Sequence, residues 1–437
     1  MNSIIFYGVG QNLDMKFVDW YNDKLIPVCL VDASIGKQHS VYSTPFGNFK
    51  VLSLIEAINT YPDYLLYITL EKTRLIEITE YLCGIGIPYA RIRYCEGFHE
   101  GGSCSWLDSH SINFATTANG KTTISSCCFN NIFKAMFLAT GDFSHDYSIM
   151  CNYNDNLKLM LSLGYYTNCD NCVYRNVLTK HNAPVNEKLY KRFILSSGIS
   201  GLDACNFNCS YCGHTEIKHG RYKYTSETDN KYDAIELFKI IEKQFDPNDV
   251  WVVCGAAELG ISEYREKILS MWDKNKWHGV LSTNASVFIS SVASLLRQRL
   301  LRLVSSLDSG TAETFFNIKG VDLFDRVLNN LEKYAQSGGD VVMKYIILEG
   351  RNDSIDEIDS FFYIVNNLCK KYPNISIMLS RDFNINHLCL SQRDKELNAC
   401  KYFYKKCAEY NLNFSFSEDT FLKNDIAAVL DKDVRGI

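Results

Sequence analysis

No apolar run in the 437 residues approaches the ~18 needed to cross a bilayer, so no membrane-spanning helix is expected. Positive charge is not in excess: 45 Lys and Arg face 50 Asp and Glu, a formal net charge of −5. General attraction to nucleic acid or to an anionic membrane is therefore not expected. The richest basic stretch, Lys218 to Lys223, is short and reads as a solvated face or a local anion contact. The first residues lack the charged n-region and apolar h-region of a secretory leader. Internal repeats and low-complexity segments are absent too. Cysteine, by contrast, is abundant, with 17 in the chain. Without a leader these are expected to be reduced thiols in a cytoplasmic protein, serving as metal ligands and core filler rather than disulfides. The length predicts about two to four domains, and apolar residues are plentiful enough to build their cores.

One stretch concentrates the chemistry: Cys205, Asn206, Phe207, Asn208, Cys209, Ser210, Tyr211, Cys212. Three thiolates spaced C-x3-C-x2-C on one loop can hold three corners of a [4Fe–4S] cube. The fourth iron then keeps no protein ligand and is open to a cofactor or substrate. The competing readings are a zinc loop and buried core cysteines. Structural zinc takes four ligands, and no Cys or His at a standard offset completes a set around Cys205. His214 lies two residues beyond Cys212, too close for the usual spacing.

Residues 1–97 alternate strand and helix. Strands are expected at Ile4–Tyr7, Val28–Val31, Tyr64–Leu70 and Tyr89–Tyr94, with helices at Met15–Tyr21, Leu52–Asn59 and Thr73–Cys83. This pattern argues for a small doubly wound parallel sheet. The Gly8-Val9-Gly10 turn and Asp32 sit where a dinucleotide fingerprint places its glycines and acid, but Leu13 replaces the third glycine. A tight strand-to-helix turn and a nucleotide site both remain open.

Residues 98–190 lose this periodicity and gather Cys104, Cys127, Cys128, Cys151, Cys169 and Cys172. Asn119-Gly120 between two strand-like runs predicts a hairpin. Cys104, Cys127, Cys169 and Cys172 are the candidate ligands for a second metal centre, either an auxiliary [4Fe–4S] cluster or zinc, with no metal as the third reading.

From 191 to 390 six strand–helix units follow, and 391–437 add a helical extension with a short strand at Asn413–Phe416. In α/β folds the chemistry sits at the carboxyl ends of the strands. The cysteine loop follows the first strand of this series and so falls on that edge.

The cysteine stretch resembles the signature of the radical SAM superfamily, whose members also carry an aromatic residue before the last cysteine, as Tyr211 stands here. That resemblance implies a partial (β/α)6 barrel, a [4Fe–4S] cluster on Cys205, Cys209 and Cys212, and S-adenosylmethionine (SAM) chelating the open iron. It implies reductive cleavage of SAM to a 5'-deoxyadenosyl radical that abstracts hydrogen from a substrate. A reducing partner such as flavodoxin or ferredoxin is then required.

Further segments resemble the family's motifs. Gly255 and Glu258 in CGAAELG match its Gly-Gly-Glu-Pro turn, with Leu259 in place of the proline. There Glu258 is expected to accept from the SAM ammonium. Thr283 and Asn284 match its Thr-Asn-Gly. Ser306 and Asp308 match a Ser-Leu-Asp turn, implying contacts to SAM carboxylate or ribose; for Asp308 a helix cap serves equally well. Lys344, Arg381 and Asp382 are candidates to face the barrel mouth.

The cysteine-rich segment resembles a SPASM or twitch auxiliary-cluster domain, although that domain ordinarily follows the barrel. The first segment is similar to small Rossmann-like domains found beside carbohydrate-pathway enzymes. Together these resemblances imply a radical SAM enzyme acting on a small molecule such as a sugar or nucleotide-sugar. A peptide maturase is the alternative, and a non-catalytic zinc or Fe–S nucleotide-binding protein the second.

Overall fold

The computed structural model describes residues 3–22, 24–44, 46–70, 75–88, 91–94, 102–116, 121–126, 137–162, 176–177, 190–195, 199–212, 231–255, 257–382, 384, 390–417 and 420–432. The chain divides into two compact units. One comprises Met1–Asp108, Ser148–Asp170 and Tyr174–Glu187; the other comprises Ser109–Tyr147, Asn171–Val173 and Lys188–Ile437. None of the described helices is long and apolar enough to cross a membrane.

In the first unit β1 (Ile4–Tyr7), α1 (Gln11–Asn22), β2 (Cys29–Val31), β3 (Val41–Thr44), β4 (Gly47–Leu52), α2 (Leu54–Thr60), β5 (Leu65–Ile68), α3 (Leu75–Gly84) and β6 (Ile92–Tyr94) follow in order. They form a sheet of order β3-β4-β2-β1-β5-β6. β1 pairs in parallel with β2 and with β5. Successive residues of a strand face opposite sides, and both sides of β1 are buried. Ile5 and Tyr7 join a cluster with Val31, Leu66, Ile68 and Leu82, while Phe6 joins Leu13, Phe17, Trp20 and Leu30. A parallel sheet buried on both faces is the doubly wound arrangement expected from the sequence.

The antiparallel hairpin β3–β4 was not anticipated. The chain runs straight from it into α2, whose start is fixed by a capping box between Ser53 and Glu56. At the Gly8-Val9-Gly10 turn, Asp32 faces back toward the glycines. Its Oδ2 accepts from the Val9 N–H (2.8 Å) and its Oδ1 from the Ser34 N–H (2.8 Å). This carboxylate braces the turn.

The second unit is built on a ten-stranded sheet. Its strands are β7 (Ile112–Thr116), β8 (Thr122–Ser125), β9 (Phe137–Leu138), β10 (Lys191–Leu195), β11 (Val250–Cys254), β12 (His278–Ser282), β13 (Leu301–Ser306), β14 (Val341–Ile347), β15 (Ile375–Arg381) and β16 (Phe414–Phe416). The order is β9-β8-β7-β10-β11-β12-β13-β14-β15-β16. β10 to β15 are the six parallel strands of the expected barrel. Among the described residues the sheet stays open, with β9 and β16 at its edges.

The expected hairpin around Asn119-Gly120 forms as β7–β8, its turn lying outside the described residues. β7 pairs in parallel with β10, Ile112 opposite Phe193. The hairpin that the sequence places in a cysteine-rich segment therefore extends the sheet of the second unit. The short strand near the end of the chain likewise joins as β16, parallel to β15.

Helices α4 (Ala234–Gln244), α5 (Arg265–Asn275), α6 (Ser290–Arg297), α7 (Ala312–Lys319), α8 (Phe324–Ala335), α9 (Ile355–Lys371), α10 (Asp394–Glu409) and α11 (Lys423–Leu430) connect or follow the strands. Along β11, β12 and β13 every second residue is buried: Val252, Cys254, Leu281, Leu303, Ser305. The residues between them, among them Val253, Val280, Ser282, Val304 and Ser306, stay partly exposed. One face is thus packed and the other left open. Register sets Ser306, Lys344 and Met378 abreast, so they leave the sheet on the same side.

Candidate functional site

The cysteine loop, residues 201–212, lies at the carboxyl end of β10 and is fastened from below by the end of α7. The last carbonyls of a helix have no partner within it. Here two of them take partners from the loop: Asn208 N–H donates to Lys319 O (2.9 Å) and Ser210 N–H to Ile318 O (2.8 Å). Gly320 caps α7 with φ +69°. A Cβ there would stand 2.9 Å from Asn208 Cβ and 3.0 Å from Asn208 O. Only glycine combines this left-handed backbone with such a close approach. Gly320→Ala is expected to lower thermal stability by about 1–3 kcal/mol and to reduce iron uptake at the loop. Thermal unfolding and iron counting on the same sample check both.

Inside the loop, Phe207 is buried edge-on against Phe315 (centroids 5.9 Å). Phe207 N–H donates to Cys205 Sγ at 3.4 Å, and Asn284 Nδ2 approaches the same sulfur at 3.8 Å. Asn284 Nδ2 also donates to Asn206 Oδ1 (2.8 Å), and Asn206 Nδ2 to Ser286 Oγ (3.0 Å). From the opposite side Arg351 donates to Ser210 Oγ (2.5 Å) and Asn384 Nδ2 to Tyr211 O (3.0 Å).

Glu258, 3% exposed, joins three strand ends. Its backbone N–H donates to Ala204 O in the cysteine loop (2.8 Å). Its Oε1 accepts from Gly260 N–H (2.7 Å) and Thr283 Oγ1 (2.8 Å), and its Oε2 from Asn284 N–H (2.6 Å). Burial raises its carboxyl above the ordinary value, and these hydrogen bonds oppose the rise. The Thr283 hydroxyl lies within reach of both oxygens, 2.8 and 3.0 Å away, so each carboxylate oxygen has two donor groups beside it.

Gly255 packs closely against the next strand end: a Cβ on it would lie 2.5 Å from Ser282 Cβ. Asp308 neither faces outward nor caps α7, whose cap is Thr311. Asp308 is fully buried with φ +59°, and its carboxylate takes Tyr211, Lys319 and the Ile346 N–H. Arg381 is likewise fully buried, bonded to Glu396 (2.8 Å) and Asp425 (2.9 Å) rather than open to a substrate. Asp382 accepts from the Asn384 N–H of its own turn. Ser306 is half-buried at the end of β13, and Lys344 is 8% exposed in β14.

Among the second set of cysteines, Cys104 is buried. Cys127, Cys128, Cys169 and Cys172 lie outside the described residues.

The loop offers three thiols, the number of protein ligands a cube with one open iron takes. Zinc needs four donors on one ion, whereas in a cube each thiolate meets its own iron. Burial pushes the Cys209 thiol up to about 11; Lys319 opposes this, and Cys212, Asp308 and Cys205 add to it. The loop thiols thus feel one another's charge in a desolvated place, where a bound cation deprotonates a coordinating thiol outright.

Of the residues singled out in the sequence, Cys205, Glu258, Thr283 and Asn284 lie in one hydrogen-bonded set. Lys319 was not singled out, and Asn206 only as a spacer between the cysteines. A lysine before a glycine at a helix end reads as solvated, and nothing local marks it as buried.

A family model described as the radical SAM superfamily matches residues 199–362. A GTP 3',8-cyclase of Clostridium botulinum is 30% identical over 213 residues, covering 45% of this chain and 56% of that protein. One of Campylobacter lari is 25% identical over 167 residues, covering 38% and 50%. The chain thus spans about half the length of these relatives. Among solved structures, Streptococcus suis SuiB bound to S-adenosylmethionine aligns with a TM-score of 0.40 and 15% identity, over 70% of this chain and 71% of that one. The anSMEcpe enzyme with bound AdoMet aligns at 0.38 and 14%, over 52% and 63%.

Proposed function

Because residues 199–362 match the radical SAM superfamily, we propose that the chain is a radical SAM enzyme whose Cys205, Cys209 and Cys212 hold the [4Fe–4S] cluster. When bound, that cluster and SAM supply a one-electron reductive cleavage and a 5'-deoxyadenosyl radical. The observation that carries this reading is the hydrogen-bonded join of three strand-end segments. Cys205 Sγ lies within reach of Asn284 Nδ2, Asn284 N–H is held by Glu258, and Glu258 N–H is held by Ala204 of the cysteine loop. Glu258 is the carboxylate at these strand ends that we assign to the ammonium of SAM. Ser306, partly exposed at the end of β13, is the residue we assign to the SAM carboxylate or ribose.

The substrate we infer is an anionic small molecule of the sugar or nucleotide-sugar class. Lys344 stands beside Ser306 in the neighbouring strand and brings positive charge to that part of the sheet. The relatives named for GTP support a phosphorylated substrate. A second cluster on Cys104, Cys127, Cys169 and Cys172, and a flavodoxin or ferredoxin as donor, complete the proposal.

The test is anaerobic reconstitution with iron and sulfide, then dithionite and SAM, with iron and 5'-deoxyadenosine measured. Wild type is compared with the Cys205→Ala, Cys209→Ala, Cys212→Ala triple variant. About eight irons falling to about four, as two cubes becoming one, with deoxyadenosine from wild type alone, supports both centres. About four falling to none removes the second centre. Zinc at the loop in place of iron overturns the radical reading. Nucleotide-sugars and peptides added to the assay discriminate the substrate classes by which one stimulates deoxyadenosine release.

A further inference from the structure

Beside the cysteine loop lies a buried ion pair, Lys319 with Asp308. Lys319, the last residue of α7, is 2% exposed, and Asp308 is 0% exposed. Lys319 Nζ donates to Asp308 Oδ2 (2.5 Å) and to the Tyr211 phenol oxygen (2.8 Å). The Tyr211 hydroxyl donates to the same Oδ2 at 2.7 Å. The other oxygen, Oδ1, accepts from Ile346 N–H (2.7 Å), and Asp308 O accepts from Asn352 Nδ2 (2.8 Å). The ammonium also lies 5.1 Å from the centroid of the Tyr211 ring. Tyr211 stands between Cys209 and Cys212, packed against the apolar cluster of Ile318, Ile346 and Leu348.

Burying such a pair costs several kcal/mol per ion before its attraction is counted, and apolar residues of similar volume often fill such a place as well or better. A purely structural account therefore leaves the charges unexplained. Lys319 is tied directly to the cysteine loop: its carbonyl accepts from Asn208 N–H (2.9 Å), and its ammonium donates to the hydroxyl of Tyr211, the residue between Cys209 and Cys212. Asp308 meets the loop at that same hydroxyl, and its other oxygen turns to Ile346 N–H. Cluster potentials respond to nearby charge, to hydrogen bonding and to burial. In a desolvated site such a charge acts more strongly than in water.

We propose that Lys319, oriented by Asp308 and Tyr211, is the fixed charge that sets the reduction potential of the cluster held by Cys205, Cys209 and Cys212. The proposal rests on the radical SAM reading above. Reduction brings one electron from an external one-electron donor into the cluster, and no proton moves at Lys319. A cation fixed beside the loop favours the more negative, reduced state and raises the midpoint. Asp308 acts in the opposite sense on charge while holding the lysine in place.

The test is a redox titration of the reconstituted full-length protein, following the paramagnetic reduced cluster, with iron and sulfide counted in each sample. In Lys319→Met the midpoint falls, reduction becoming about tenfold less favourable, which is about 59 mV for one electron. In Asp308→Asn it rises, because the lysine charge is no longer offset; asparagine also tolerates the left-handed backbone at this position. Lys319→Arg stays near wild type.

Opposite signs in the two charge variants are the signature. A merely structural pair lowers iron content in both and leaves the midpoint of the remaining cluster unmoved. Unshifted midpoints, or shifts of the same sign, in variants of a wild type that carries a reducible cluster overturn this proposal alone. If Lys319→Met does not fold, Asp308→Asn decides: a midpoint that fails to rise overturns it. Wild type that takes up zinc and no iron overturns the functional reading, and this proposal with it.

Discussion

Arg381→Met is expected to cost about 3–5 kcal/mol of stability, the size seen when one partner of a buried ionic cluster is removed. Arg381 is fully buried at the carboxyl end of β15. Its Nε donates to Glu396 Oε1 at 2.8 Å and its Nη1 to Asp425 Oδ2 at 2.9 Å. Glu396 lies in α10 and Asp425 in α11, both nearly inaccessible. Methionine keeps much of the volume and none of the donors, so Asp425 is left desolvated without the Arg381 charge and Glu396 keeps Arg393 alone (2.7 Å). Unfolding in urea should show the midpoint falling with little change in slope. The control is Arg381→Met with Glu396→Leu and Asp425→Leu, which removes all three charges. Replacing a whole buried cluster is often neutral or stabilising, so the triple variant should recover most of the loss. If the single variant is as stable as wild type, Arg381 is not the pin that holds the two last helices to the sheet.

The same residue shows where reading the sequence stops. Arg381 was legible as a residue at the carboxyl end of a strand, and position alone suggested a substrate contact. Its carboxylates come from 15 and 44 residues further on, and no local pattern announces such distant partners. Elements that depend on local periodicity were read closely. Val250–Cys254 and Ile355–Lys371 stand where the alternation and the helical spacing put them. Elements whose identity is a pairing were not. The strands Val41–Thr44 and Gly47–Leu52 are short and largely exposed, so they carry little hydrophobic signal. The hairpin at Ile112–Ser125 was visible as a hairpin, but its place beside Phe193 is a fact of the sheet.

At the site itself the cysteine spacing was plain, because the chemistry needs three thiols on one loop. Lys319 was not, because its burial is created by Tyr211 and Asp308, which lie 108 and 11 residues away.

Glu258→Gln is the sharpest single test of how the strand ends cooperate. The carboxylate accepts from two backbone N–H groups and from the Thr283 hydroxyl. Glutamine offers one acceptor oxygen, and its amide nitrogen faces at least one of those N–H groups donor to donor. The turn carrying Thr283 and Asn284 then has to shift, and Asn284 is the residue that reaches Asn206 and Cys205. The negative charge that would meet the SAM ammonium is lost as well. A hydrogen bond to a charged group contributes about 1.5–3 kcal/mol, which is about 10- to 150-fold in affinity at 1.4 kcal/mol per decade. Equilibrium binding of SAM to the reconstituted protein should weaken by that factor, with deoxyadenosine release falling in step at subsaturating SAM. Iron content separates this from collapse of the loop, since Cys205, Cys209 and Cys212 are untouched. Full iron with weakened SAM binding places Glu258 at the cofactor. Full iron with unchanged binding and only a lower melting temperature would confine Glu258 to bracing the turn.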